Sequence, residues 1–188
     1  MEKILYQGKI VEVVHFDVEQ AGKKMVFEKA RRSPGVRLII PGDTTVLISK
    51  EDRQEVGGYD YRLPGGKVFD TLEEYNQALA SGVAMTEAAK KAAIKEAREE
   101  VHIDVQDLSF FHRSICGTTM EWDLYYFVVN KYERLGRATV EAERLVEEAE
   151  DIDAQFIEEQ KVKEMCLDGS MSEERSALVL LRYLSGKQ

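Results

Sequence analysis

The sequence predicts an α+β fold, in which an N-terminal antiparallel sheet precedes a domain of mixed strands and helices. Three observations carry this expectation. The first third of the chain alternates short β-branched and aromatic runs with Gly and Pro turns. A long stretch rich in Ala, Glu, Lys and Arg, from 86 to 101, then has the composition of a helix. Strand-like apolar runs return at 108–114 and 122–130, ahead of a last helical segment.

Residues 3–31 read as β-rich, with Ile10, Val11, Val13 and Val14 in one run and a hairpin turn at Ala21-Gly22-Lys23. The strand returning from that turn spans 25–30. Ser33-Pro34-Gly35 breaks the pattern and marks a boundary, so that 1–33 forms an N-terminal sheet extension and 34–188 the main domain. Strands at 36–40 and 44–49 flank Pro41-Gly42-Asp43, and another at 59–63 ends in Pro64-Gly65-Gly66. Thr71-Leu72-Glu73-Glu74 has the spacing of a capping box, which starts a helix over 72–81 that stops at Gly82. A second helix begins after Thr86 and runs to Val101. A short strand is expected at 153–157, a helix around 162–166, and a last helix over 173–184 with Ser172 as its cap.

The chain has 188 residues, 44% of them apolar, enough for one core without disulfides. No apolar run approaches the roughly 20 residues of a membrane span. The N-terminus lacks the features of a secretory signal, and Cys116 and Cys166 form no paired motif, which together predict a reduced, cytoplasmic protein. A formal net charge of −9 argues against non-specific nucleic-acid binding. It leaves room for a phosphorylated small molecule, because a bound divalent cation supplies positive charge locally.

The strongest chemical signal is Lys95-Glu96-Ala97-Arg98-Glu99-Glu100-Val101. Helical spacing puts Glu96, Glu99 and Glu100 on one face, while Ala93, Ala97 and Val101 form an apolar stripe that can pack on a sheet. Three neighbouring carboxylates repel one another unless a cation lies between them. Mg²⁺, which prefers a few carboxylates together with substrate phosphates, fits that need. Taken alone, the helix reads more readily as a solvated acidic face balanced by Lys91, Lys95 and Arg98. The preceding Leu63-Pro64-Gly65-Gly66-Lys67 adds a loop whose glycines allow close backbone approach to a phosphate or metal, although an ordinary turn has the same composition.

Together these residues resemble the Nudix box, Gly-x5-Glu-x7-Arg-Glu-U-x-Glu-Glu-x-Gly-U with U aliphatic. Gly66 is similar to its first glycine and Glu87 to the next glutamate. Glu96, Glu99 and Glu100 match the metal-binding glutamates, and Ala97 and Ile103 the U positions. Lys95 stands where the pattern has Arg and keeps the charge without the planar fork. His102 stands where it has the second Gly, and twenty residues separate Gly66 from Glu87 where the pattern has five. The helix at 72–81 accounts for the excess as an insertion.

The resemblance implies a Nudix-type α/β/α sandwich with a mixed sheet. It extends over nearly the whole chain and looks closest to the ADP-ribose pyrophosphatase-like branch, whose N-terminal sheet is often exchanged in a homodimer. It further implies Mg²⁺, with Mn²⁺ as a substitute, held by Glu96, Glu99 and Glu100 with backbone help at Gly65 or Gly66. Arg53, Arg62 and Glu121 would contact a small-molecule nucleotide substrate, and the catalytic residues would be Glu150 or Glu148, one of them the base, together with Glu99. The implied reaction is hydrolysis of a diphosphate bond, ADP-ribose giving AMP and ribose 5-phosphate. Another nucleotide sugar, a dinucleoside polyphosphate or a nucleoside triphosphate remains open as substrate, as does a non-catalytic nucleotide-binding role. Read individually, Arg53 and Arg62 are equally surface cations, Tyr59 and Tyr61 strand-packing residues, Trp122 core, and the acidic stretch 141–153 a solvated loop.

Overall fold

The structure is a computed structural model that describes residues 2–54, 57–136 and 153–186. It is mixed α and β, as the sequence predicts. Ten strands and four helices among the described residues build three hydrogen-bonded sheets.

The first sheet has the order β1-β2-β3-β8, with β1 (Lys3–Gln7), β2 (Glu12–Gln20), β3 (Lys23–Arg31) and β8 (Met120–Glu121). The run holding Ile10, Val11, Val13 and Val14 is interrupted by a turn closed from Gly8 N to Val11 O at 2.8 Å. The β2–β3 hairpin turns at Ala21 and Gly22, both left-handed with φ of 51° and 74°. β3 joins the rest of the chain through the short parallel strand β8, an element that a two-residue run could not announce in sequence.

The second sheet, antiparallel, is β10 (Asp153–Glu158), β5 (Thr45–Arg53) and β6 (Gly58–Arg62). The third, mixed, is β4 (Gly35–Ile39), β9 (Leu124–Arg134) and β7 (Ile103–Ser114), parallel between β4 and β9 and antiparallel between β7 and β9. Its two faces are read directly from period-2 alternation. Val36, Leu38, Tyr125, Phe127 and Val129 face α2 (Met85–Val101), which presents Ala89, Ala92, Ala93 and Ala97. Ile39, Leu124 and Tyr126 face the other way. They meet Val162 and Met165 of α3 (Glu159–Asp168) and Ala177, Leu180 and Leu184 of α4 (Glu174–Ser185). The sheet is thus enclosed by helices on both faces. The alanines of α2 let its backbone lie close to the strands, which fixes the height of its acidic face.

Several boundaries differ from expectation for identifiable reasons. β7 starts at Ile103 rather than 108, because Asp104 and Gln106 are the outward half of a strand whose Ile103 is buried. α2 starts at Met85 with Ala84 as a cap that makes no side-chain bond, so Thr86 lies inside the helix. Ser172 does not cap α4. Its N–H and Oγ donate to Asp60 at 3.0 and 2.8 Å, and Glu173 takes the cap position.

α1 (Leu72–Ser81) forms as the capping box predicts: Glu74 N donates to Thr71 Oγ1 at 3.2 Å, and Thr71 N donates back to Glu74 Oε2. It ends at left-handed Gly82. This helix and the loop before it tie the first sheet to the residues that follow it. Asn76 donates to buried Glu12 at 3.0 Å, the Tyr75 hydroxyl donates to Glu121 at 3.0 Å, and Phe69 N donates to Ser33 Oγ at 3.0 Å. Glu12 is also paired with Arg31 at 2.6 Å, so its buried charge is compensated.

Candidate functional site

The acidic face of α2 meets the loop between β6 and α1. Glu100 Oε2 accepts the Gly65 N–H at 2.7 Å, and the Glu96 carboxylate lies against Gly66 so closely that a Cβ there would overlap it. Gly65 has φ of 142°, and a Cβ on it would overlap the carbonyl of Val36. Gly65 is therefore required by the neighbouring strand, whereas a side chain at Gly66 would displace the Glu96 carboxylate.

Burial is the main force on the two carboxyls, and mutual repulsion adds to it. Glu96 is pushed up to about 7, first by burial and then by the charge of Glu99. Glu100 is pushed up to about 8 by burial, then by Glu96, with Glu51 adding a smaller push against the Gly65 hydrogen bond. Glu99 is more exposed and lies 3.7 Å from Lys95, which lies equally far from Asp70 just ahead of α1. Lys95 is held between these two carboxylates. The three glutamates share a face without converging on a point. Among the described residues, no three His, Cys, Asp or Glu side chains are close enough to hold an ion as they stand.

The donor set nevertheless fits a hard divalent cation. It is all oxygen, partly buried, and short of positive charge at Glu96 and Glu100. The backbone oxygens of the loop already accept bonds, Gly65 O from Arg37 at 3.2 Å and Gly66 O from Val36 N at 3.0 Å, each leaving a second lone pair.

Other residues singled out in the sequence fall in three places. Arg53, near the end of β5, donates to Glu51, itself the extra carboxylate felt by Glu100. Arg62 on β6 donates to Asp60, a buried carboxylate held below its usual range against the pull of burial by Ser172 and Arg62. Glu121 sits on β8 and accepts from Lys29 and Tyr75, at the junction of the N-terminal sheet with α1. Glu148 and Glu150 lie outside the described residues.

Sequence reading missed two participants. Glu51 reaches the site through the register of β5, which has no local signature. Arg37 interrupts the apolar run 36–40, and a charge in a buried strand was a usable signal. Its guanidinium is buried and donates to Val36 O, Gly65 O and, through Nε and Nη2, the Glu173 carboxylate at 2.9 and 3.2 Å. Glu173 is held below its usual pKa, against burial, chiefly by Arg37. The glycine loop is thereby tied on one side to α2 through Glu100, and on the other to the start of α4 through Arg37.

No protein-family model matches the chain, and no curated protein sequence matches it. Among solved structures it is similar to one described as the crystal structure of an ADP compounds hydrolase. The match has a TM-score of 0.65 at 18% identity, over 100% of this chain and 93% of that one. At that identity the likeness establishes the fold, a Nudix-type α+β architecture.

Proposed function

We propose that this protein is a Mg²⁺-dependent hydrolase of the diphosphate bond in a nucleoside-diphosphate derivative, with ADP-ribose, cleaved to AMP and ribose 5-phosphate, as the leading substrate. The observation that carries this reading is the pairing of Glu96 and Glu100, partly buried and undercompensated, with the tight Gly65-Gly66 loop. A structural role alone gives no reason to collect like charges there at a cost in stability. The similarity to an ADP compounds hydrolase supports the reading at the level of fold.

In this reading Glu96, Glu99 and Glu100 hold Mg²⁺, or Mn²⁺ in its place, which when bound supplies an activated water and neutralises charge on the diphosphate. Glu100 also keeps the loop against α2, and Arg37 keeps it from behind. Arg53, one carboxylate away from Glu100, exchanges Glu51 for a phosphate oxygen, for which its fork is suited. Glu150 or Glu148 removes the proton from the attacking water. Arg62 and Glu121 are engaged within the fold, so direct contact with substrate would require either to change partners. A homodimer joined through the N-terminal sheet belongs to the same proposal.

The test is incubation of purified protein and Mg²⁺ with ADP-ribose, other nucleotide sugars, dinucleoside polyphosphates and nucleoside triphosphates, with products separated by chromatography. AMP from ADP-ribose supports the full reading. Cleavage of a different member keeps the chemistry and replaces the substrate. Silence across the panel with both Mg²⁺ and Mn²⁺ favours a nucleotide-binding protein without catalysis.

A further inference from the structure

Beside the glycine loop lie two arginines that the metal site does not use. The Arg32 and Arg175 guanidiniums stand 4.6 and 4.5 Å from the ring centroid of Trp122. Trp122 Nε1 and Gly66 O both come within 4 Å of the same point, the position a Cβ on Gly35 would take. The indole therefore adjoins the loop that touches Glu96.

Positive charge here is not balanced. Arg37 has Glu173, and neighbouring Asp123 is taken by Arg113. Among the described residues no carboxylate pairs with Arg32 or Arg175. Arg175 donates Nη1 to Trp122 O at 2.8 Å, while its Nη2 is buried without a hydrogen-bond partner. Burial first, then the charges of Arg37 and Arg175, hold the Arg32 guanidinium below its ordinary pKa. Holding two guanidiniums on one indole near a third is costly unless an anion joins them. A buried donor left unmet adds to that cost.

We propose that Arg32, Arg175 and Trp122 form an anion subsite beside the candidate metal site that receives a phosphomonoester group of the substrate. Planar forks favour phosphate oxygens. Among the nucleoside-diphosphate derivatives of that reading, those carrying a phosphate beyond the diphosphate that is cut are then preferred over ADP-ribose itself. The existence of the anion site stands alone, whereas its role as a substrate subsite rests on the hydrolase reading.

Trp122 is the only tryptophan in the chain, so its emission reports the site without reference to activity. The experiment titrates inorganic phosphate into the metal-free protein at constant ionic strength, against chloride. A saturable change in emission is expected for phosphate alone. It should weaken roughly tenfold or more in Arg32→Gln and Arg175→Gln, and less in Arg32→Lys, which keeps the charge and loses the fork. An emission response that is the same for phosphate and chloride in the wild type overturns the site. So does phosphate affinity unchanged in both Gln variants.

A second arm compares kcat/KM for ADP-ribose and for its 2′-phosphorylated form. Arg32→Gln should lower the ratio of phosphorylated to unphosphorylated substrate roughly tenfold. An unchanged ratio, with phosphate still bound in the first arm, overturns the substrate role and assigns the site to free phosphate. Saturable emission with no cleavage of any diphosphate sinks the hydrolase reading instead.

Discussion

The carboxylate of Glu100 accepts the Gly65 N–H at 2.7 Å, joining the last turn of α2 to a loop that Arg37 grips from the opposite side. This contact sets an acidic residue where burial and Glu96 both disfavour its charge. Its consequences are open to measurement.

Glu96 and Glu100 are displaced upward from 4.5 to about 7 and about 8. A carboxyl whose folded pKa is raised holds more protons when folded than when unfolded, so stability falls as pH rises. The metal-free protein should therefore lose stability between about pH 4.5 and 8, and Mg²⁺ should restore it at the upper end. Glu100→Gln, which keeps an acceptor for Gly65, should stabilise the metal-free protein at pH 8 by about 1–2 kcal/mol, less than the full displacement implies because the group keeps some solvent contact. Urea unfolding at several pH values, with and without Mg²⁺, checks both.

Gly66→Ala places a methyl group on the Glu96 carboxylate. The side chain can swing away, so the fold should survive while divalent-metal affinity drops. Gly65→Ala meets the Val36 backbone, which cannot yield, and should cost about 1–3 kcal/mol of stability through strain. Mn²⁺ titration of the first and denaturation of the second separate the two roles.

Removing the Arg37 charge leaves Glu173 partly buried without its main partner. Arg37→Met should destabilise the protein by about 3–5 kcal/mol, and adding Glu173→Gln should recover part of that loss. Additive losses in a double-mutant cycle would show that the pair does not act as a unit.

His102 caps α2 in the left-handed conformation, with φ of 54° and ψ of 46°, where the box has glycine. An L side chain is strained there. His102→Gly should raise stability by about 0.5–1 kcal/mol, read as an increase in the urea midpoint without a change in slope.

Much of this architecture was legible because its signals are local. Thr71 and Glu74 specify a capping box from four residues, and Gly82 ends that helix. The period of Glu96, Glu99 and Glu100 places them on one face without any tertiary information. Other features depend on distant pairing. Glu51 comes near Glu100 through strand register, and β8 exists only because Ala30 and Arg31 lie alongside it. Ser172 has the chemistry of a cap, yet buried Asp60 competes for its donors and wins them. Arg37 was the readable exception, a lone cation in an apolar strand that only buried partners could explain.

The most direct test is calorimetric titration of Mg²⁺ and Mn²⁺ into the wild type at pH 7, in buffers of different ionisation enthalpy, with Glu96→Gln and Glu100→Gln alongside. The account expects saturable binding with release of protons from carboxyls that the metal forces to ionise, and loss of both effects in the variants. Heats without saturation for either ion, or binding equally tight in both variants, would contradict it.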